Sequence, residues 1–409
     1  MAAARSSRAD WYKPDRPMIR AAVTVRPRAV RPYLDQFTLG ESFGHRLLER
    51  MRTRFLGEHR SLLDPFAGAG SSLWSSRSWG MEALGVEQLP YAHFCHRSAA
   101  QACDVDVDEV ALLGQWLIRD GVADPFLDID SLPLALIDRV GPAHASCALS
   151  YREAIEAVPS GPEKDLALFV LMRALRALRR GTGPGRRSRR GAMTLKDRKG
   201  NYHASFEDVY LETLYQCLDS ITDAARDGAL IDMTGTKLLF GSAPRLVPEL
   251  RDDAFDLVIT SPPYLNGFDY LEEYAVEHWC LGLEPEEVVE IARGMLPTRV
   301  DPRDADKDID GLGGTVPGLG VPATARIYFH GLSELIQGMH QKLQDEAEVL
   351  LVVDDLRWKG RDIPVAKVLS AMAERSGYRV VAIYHDPDEG TMGLGRERAL
   401  TKVCHWTKA

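Results

Sequence analysis

The chain has 409 residues, 45% of them hydrophobic, and a formal net charge of −9. It is long enough to bury a substantial core as one elaborated domain or two, and no apolar run approaches the roughly 20 residues of a membrane span. The stretch MAAARSSRAD lacks the apolar centre of a secretion signal, and Cys95, Cys103, Cys147, Cys217, Cys280 and Cys404 are scattered without CxxC pairs, so they read as reduced structural thiols of a cytoplasmic protein with no metal site.

In chain order, residues 1–30 are polar and basic and are expected to form a flexible N-terminal segment. Phe43, Leu47, Leu48 and Met51 then recur at helical spacing. Ser61-Leu62-Leu63-Asp64 reads as a short buried strand, followed by Pro65-Phe66-Ala67-Gly68-Ala69-Gly70 and a helix start at Ser71-Ser72. Glycines let backbone come close to a ligand, and a helix N-terminus offers free N–H groups. Ala83-Leu84-Gly85-Val86-Glu87 is a second strand ending in a carboxylate. An acid about 20 residues past a glycine turn is where nucleoside-binding α/β folds hold a ribose.

Residues 101–230 are expected to be a mostly helical insertion, with apolar spacing from Leu166 to Leu178 and from Val209 to Ile221. They carry the densest positive run of an acidic chain: Arg173, Arg176, Arg179, Arg180, Arg186, Arg187, Arg189, Arg190, Lys196, Arg198 and Lys199, opposed only by Asp197. Alone, such a run reads as a solvated loop, with phosphate contact as the alternative. The sheet resumes at Thr236–Phe240, with Ser242 just beyond.

Phe255–Ile259 is an apolar strand leading into Thr260-Ser261-Pro262-Pro263-Tyr264. Neither proline donates a backbone hydrogen bond, and each pushes the residue before it out of the helical region. The result is a stiff, extended turn at a strand's carboxyl end, with carbonyl oxygens and a ring side by side. That suits a planar group bearing an amino donor. Asn266, Asp269 and Tyr270 follow as candidates for lining an acceptor pocket, with Tyr270 and Tyr274 equally readable as helix packing. A helix is expected from about Glu272 to Leu281, a long loop over 295–325, a helix over 328–343, a strand over 348–353, a helix over 363–375, and strands over 378–384 and 399–406.

Asp64-Pro65-Phe66-Ala67-Gly68-Ala69-Gly70 resembles the S-adenosylmethionine (AdoMet) motif of amino-directed DNA methyltransferases. Ser261-Pro262-Pro263-Tyr264 resembles their catalytic motif, in the form more typical of N4-cytosine than of N6-adenine enzymes. The resemblance implies an α/β fold: a seven-stranded, Rossmann-like methyltransferase sheet formed by residues 31–100 and 231–409, with 101–230 as a candidate target-recognition region. It implies AdoMet as cofactor, with Asp64, Phe66, Gly68, Gly70, Glu87 and Ser242 in its site, and the helix near residues 43–51 closing over it. Ser242 stands where the family often has an acid, so its contact with an adenine edge is the weakest of these expectations.

The implied reaction is direct methyl transfer to an exocyclic amine of a flipped base in DNA, by way of Ser261, Pro262, Pro263 and Tyr264. Arg179, Arg180, Arg186, Arg187, Arg189 and Arg190 would contact phosphates. An RNA base methyltransferase, a protein-glutamine methyltransferase, and a non-catalytic AdoMet- or DNA-binding subunit of a defence complex remain open. Ser261 and the arginines weigh against the second, and the intact motifs weigh against the third.

Overall fold

A computed structural model describes residues 32–39, 45–55, 57–121, 132–179, 205–265, 268–298, 306–308, 320–358, 360–385 and 401–409. The flexible segment expected over 1–30 and most of the arginine-rich run lie outside the described residues. The elements used below are, in chain order, α1 (His45–Phe55), β1 (Ser61–Asp64), α2 (Ser71–Ser78), β2 (Glu82–Glu87), α3 (Pro90–Ala100), α4 (Val107–Trp116), α5 (Pro142–Glu156), α6 (Pro162–Leu178), α7 (Phe206–Arg226), β3 (Thr236–Phe240), β4 (Phe255–Thr260), α8 (Pro285–Gly294), α9 (Ala323–His340), β5 (Leu343–Asp354), α10 (Val365–Arg375), β6 (Tyr378–His385) and β7 (Thr401–Lys408).

The chain divides into two compact units, one comprising residues 37–100, 133–136 and 231–409, the other residues 1–36, 101–132 and 137–230. The first holds a seven-stranded sheet in the order β3-β2-β1-β4-β5-β7-β6. Strands β3 through β5 run parallel, and β7 is antiparallel to both of its neighbours. This is the doubly wound order of a Rossmann sheet with one antiparallel strand inserted before the last. The order turns back between β1 and β4, so their carboxyl ends flank the crevice where such folds bind ligands.

Neighbouring residues of each strand point to opposite faces, and both faces are covered. Leu63, Val86, Val258, Val349 and Leu351 pack with Phe329, Leu332 and Ile336 of α9 and Val368, Leu369 and Met372 of α10. Leu62, Ala83, Leu257, Ile259 and Leu350 pack on the other face with Leu47, Leu48 and Met51 of α1 and Leu73 of α2. Burial on both faces is why β4 reads as an unbroken apolar run rather than an alternating one. β5 begins five residues before the expected Glu348, passing through Glu346 at φ 61°, while its pairing with β4 shifts register between Phe255 and Leu257.

The second unit contains α4 to α7, as the helical expectation for 101–230 has it. Asp106 caps α4 by accepting from the Asp108 and Glu109 N–H groups, and Ser205 caps α7 by accepting from Asp208 N–H. Tyr151 stands edge-on to Phe206 and Tyr210, with ring centroids 4.9 and 5.0 Å away. Gly114 lets α4 approach α7: a Cβ there would meet Leu214 Cδ2 at 2.2 Å. Among the described residues, no helix is long and apolar enough to cross a membrane.

Candidate active site

β1 and β4 lie side by side, so the two sequence motifs leave adjacent strands. Asp64 ends β1 and is 1% exposed. Its Oδ1 accepts from Phe66 N–H at 3.0 Å and from Thr260 Oγ1, at the end of β4, at 2.6 Å; its Oδ2 accepts from Ser72 Oγ at the start of α2. Burial pushes the Asp64 carboxyl up to about 6, against the lowering effect of these three bonds.

The glycine turn is shaped from behind as well. Gly70 has φ 95°, a left-handed conformation that favours glycine. A Cβ there would lie 2.3 Å from His96 Nδ1, the atom that accepts from Trp74 Nε1 at 3.3 Å. His96, on α3, is held down to about 4 by burial, so it is a neutral ring at the back of the turn.

Glu87 ends β2. Its Oε2 accepts from Gly68 N–H at 2.8 Å and its Oε1 from Leu89 N–H at 2.6 Å. Burial raises this carboxyl to about 7, opposed by the N–H bonds from Leu89, Gly68 and Gln88. These bonds use up to three of the carboxylate's roughly four lone-pair sites, so some acceptor capacity remains.

These groups meet at one cavity of about 930 Å³, counting its space open to solvent. Phe66, Gly68, Glu87 and Ser242 line it, and so do Ser261, Pro262, Pro263 and Tyr264. Leu39, Val86, Leu89, Pro244, Met295 and Leu296 make much of the remainder apolar. Asp64 and Gly70 are not among the lining residues and act on the shape of the turn. Ser242 lines the cavity, but its hydroxyl donates to Gly294 O at 3.3 Å.

On the Ser-Pro-Pro-Tyr turn, Ser261 Oγ donates to the Tyr264 hydroxyl at 2.8 Å. Tyr270 lines the cavity, whereas Tyr274 is fully buried and packs against Tyr91, with ring centroids 5.1 Å apart. The helix expected over 272–281 is therefore two short ones, Tyr270–Glu273 and Ala275–Cys280, jointed at Tyr274. Asp269 caps the first of them by accepting from Glu272 N–H at 3.0 Å. Asn266 lies outside the described residues. So do Arg180, Arg186, Arg187, Arg189 and Arg190; Arg179 follows the last residue of α6 and is half-buried.

The cavity fits AdoMet by its donor set. A nucleoside needs an apolar slot for a planar ring and an acceptor for two vicinal hydroxyls; the apolar walls and the remaining acceptor capacity of Glu87 supply both. Sequence reasoning missed Leu39, Gln88, Leu89, Met295 and Leu296. Only Gln88 carried a signal, as the neighbour of Glu87.

No family model matches the chain. Over 95% of its length it is 24% identical to the Type II methyltransferase M.AvaI of Nostoc sp. (strain PCC 7120), covering 89% of that protein. Over 84% of its length it is 22% identical to the Type II methyltransferase M.BsoBI of Geobacillus stearothermophilus, covering 78% of it. A TehB-like SAM-dependent methyltransferase of Corynebacterium glutamicum superposes over 94% of this chain and 90% of its own at 9% identity, with a TM-score of 0.30, too loosely to add to the argument. By sequence the chain is thus similar to Type II methyltransferases, and its own sheet has the strand order of a Rossmann-like methyltransferase fold.

Proposed function

We propose that the protein is a site-specific DNA methyltransferase that transfers a methyl group from AdoMet to an exocyclic amino group of a flipped base, with N4 of cytosine favoured over N6 of adenine. The observation that carries the reading is that the glycine turn and Ser261–Tyr264 line one cavity, with Asp64 and Thr260 bonded beneath them. The Ser-Pro-Pro-Tyr form of the turn favours cytosine.

When bound, AdoMet supplies an electrophilic methyl group on a sulfonium. Phe66, Gly68 and Glu87 would hold its nucleoside part. An exocyclic amine is a poor nucleophile because its lone pair is delocalised into the ring. Ser261 Oγ is held against the Tyr264 hydroxyl at 2.8 Å and carries acceptor lone pairs. With the Pro262 carbonyl it can accept from both amine protons and draw density onto nitrogen. Methyl transfer to that nitrogen would release the neutral thioether and one of those protons to solvent, so no strongly basic side chain would be needed. Tyr264, anchored through its hydroxyl, would stack on the base. Positioning the amine in line with the methyl supplies much of the catalysis.

The helical unit is the proposed target-recognition region, and Arg179, Arg180, Arg186, Arg187, Arg189 and Arg190 the proposed phosphate contacts, which position a duplex without reading its sequence. Incubating purified protein with labelled AdoMet and separately with DNA, RNA or protein tests the reading. Label on a DNA amino group is expected; label on RNA or protein alone would assign a different substrate.

A further inference from the structure

Helix α8 has no buried residue. Its start is secured locally: Pro285 occupies the first turn, and Glu284 and Glu287 form a reciprocal capping box. Its end is secured from elsewhere. The last four carbonyls of a helix have no intrahelical donor, and here they belong to residues 291–294. Gln88 Nε2 donates to Ile291 O at 2.8 Å, and Ser242 Oγ donates to Gly294 O at 3.3 Å. Ala292 O takes Met295 N–H at 3.2 Å.

The two side-chain caps come from the ends of the strands that form the donor side of the cavity: Gln88 follows Glu87, and Ser242 lies just past β3. A Cβ at Gly294 would meet Gln88 Nε2 at 2.4 Å, so the glycine makes room for the cap. The chain leaving α8 contributes Met295 and Leu296 to the cavity wall. Thr298 Oγ1 then donates to Phe268 O at 2.6 Å, and the Phe268 ring stands edge-on to Tyr270, 4.7 Å between centroids. Tyr270 lines the same cavity beyond the Ser-Pro-Pro-Tyr turn. One segment thus ties the donor-side strand ends to the acceptor side.

We infer that Gln88 is a positioning residue: by capping α8 it holds the helix end and Met295 in place as a wall of the donor pocket, while Leu296 is seated separately against Gly331 of α9. The inference rests on the reading of this cavity as the AdoMet site. Because α8 buries no side chain, removing the cap loosens the helix end and Met295 and leaves the sheet intact.

Gln88→Met keeps the side-chain length and removes the amide, both its donor and its acceptor. In the full chain, Kd and KM for AdoMet should each rise about five-fold, the scale of one neutral hydrogen bond. The melting temperature should not change, while α8 amides exchange hydrogen faster, which loss of a direct contact between Gln88 and AdoMet would not produce. Gln88→Lys, which restores a donor, should recover most of the affinity. Unchanged Kd with unchanged α8 exchange would overturn the role, as would a parallel loss of kcat and melting temperature that Lys does not rescue. Failure of the wild-type chain to bind AdoMet would instead overturn the reading of the cavity, and the inference with it.

Discussion

Thr260 Oγ1 donates a 2.6 Å hydrogen bond to Asp64 Oδ1, joining the last residue of β4 to the last residue of β1. The Ser-Pro-Pro-Tyr turn starts at the next residue after one, and the glycine turn at the next residue after the other. The bond therefore sets the spacing of the two halves of the site from below.

Thr260→Val removes that bond and keeps the branched shape. It leaves a fully buried carboxyl with one donor fewer, and hydrogen bonds to charged groups contribute about 1.5–3 kcal/mol. Denaturant unfolding should show a loss of that order, with weaker AdoMet binding, although Thr260 does not line the cavity. Unchanged stability and affinity would show that the two turns are set independently.

Glu87 gives a pH test of the donor site. Ribose hydroxyls donate to the carboxylate, not to the protonated acid, and this carboxyl is raised to about 7 by burial. Binding therefore favours the ionised form, and AdoMet affinity should fall as pH drops below about 7, approaching ten-fold per unit. Glu87→Gln should weaken binding about ten-fold or more and flatten the profile. A wild-type affinity that does not vary between pH 8 and 6 would contradict this role.

A second titrating cluster lies away from the cavity. His59 Nε2 is 2.8 Å from Glu348 Oε2 and His405 Nε2 is 3.1 Å from Glu348 Oε1, with Asp256 Oδ1 3.9 Å from His59 Nδ1. The Glu348 hydrogen bond raises His59 above its ordinary value, against burial. Burial alone would raise Glu348, but the bonds from His405 and His59 outweigh it and hold the carboxyl at about 2. Stability from His59 is full below its unfolded value of about 6.5 and is lost as pH rises through the raised value; stability from Glu348 is full above about 4.5 and is lost as pH falls toward 2. Unfolding free energy should decline above pH 6.5 through His59, beside the contribution of the raised Glu87 carboxyl, and His59→Gln should remove the His59 share and make the decline shallower. An identical profile in the variant would place the pH dependence elsewhere.

How much of the molecule is legible in its sequence follows from reach along the chain. The glycine turn, Glu87 and Ser261–Tyr264 are short motifs whose chemistry is set by their own residues and by strand ends, and they lie together as a parallel sheet requires. Gln88 and Ile291 are separated by 203 positions, and His59 and Glu348 by 289; no local pattern announces either pairing. Helix α8 escapes a sequence reading because no residue in it is buried, so the apolar periodicity that reveals a helix serves no packing. The break at Tyr274 escapes it because the ring it turns onto, Tyr91, lies on α3. Ser242 lines the cavity, where the resemblance puts it, but the bond from its hydroxyl to a helix end far along the chain has no local signal.

The basic run gives a further prediction. Replacing Arg186, Arg187, Arg189 and Arg190 with Ala should weaken DNA binding and flatten its salt dependence, by about 0.9 in log–log slope for each phosphate left without its arginine. AdoMet affinity should stay near that of the wild type. Equally tight binding with an unchanged slope would make the run a solvated loop.

Base analysis of DNA from cells producing the protein, beside cells producing Ser261→Ala with Tyr264→Ala, tests the central claim most directly. The wild type should place N4-methylcytosine at one recurring sequence. The double variant should place none, while the purified variant still binds AdoMet. DNA without an amino-methylated base in the wild-type cells, or the same mark in both, would contradict the assignment of this cavity to base methylation.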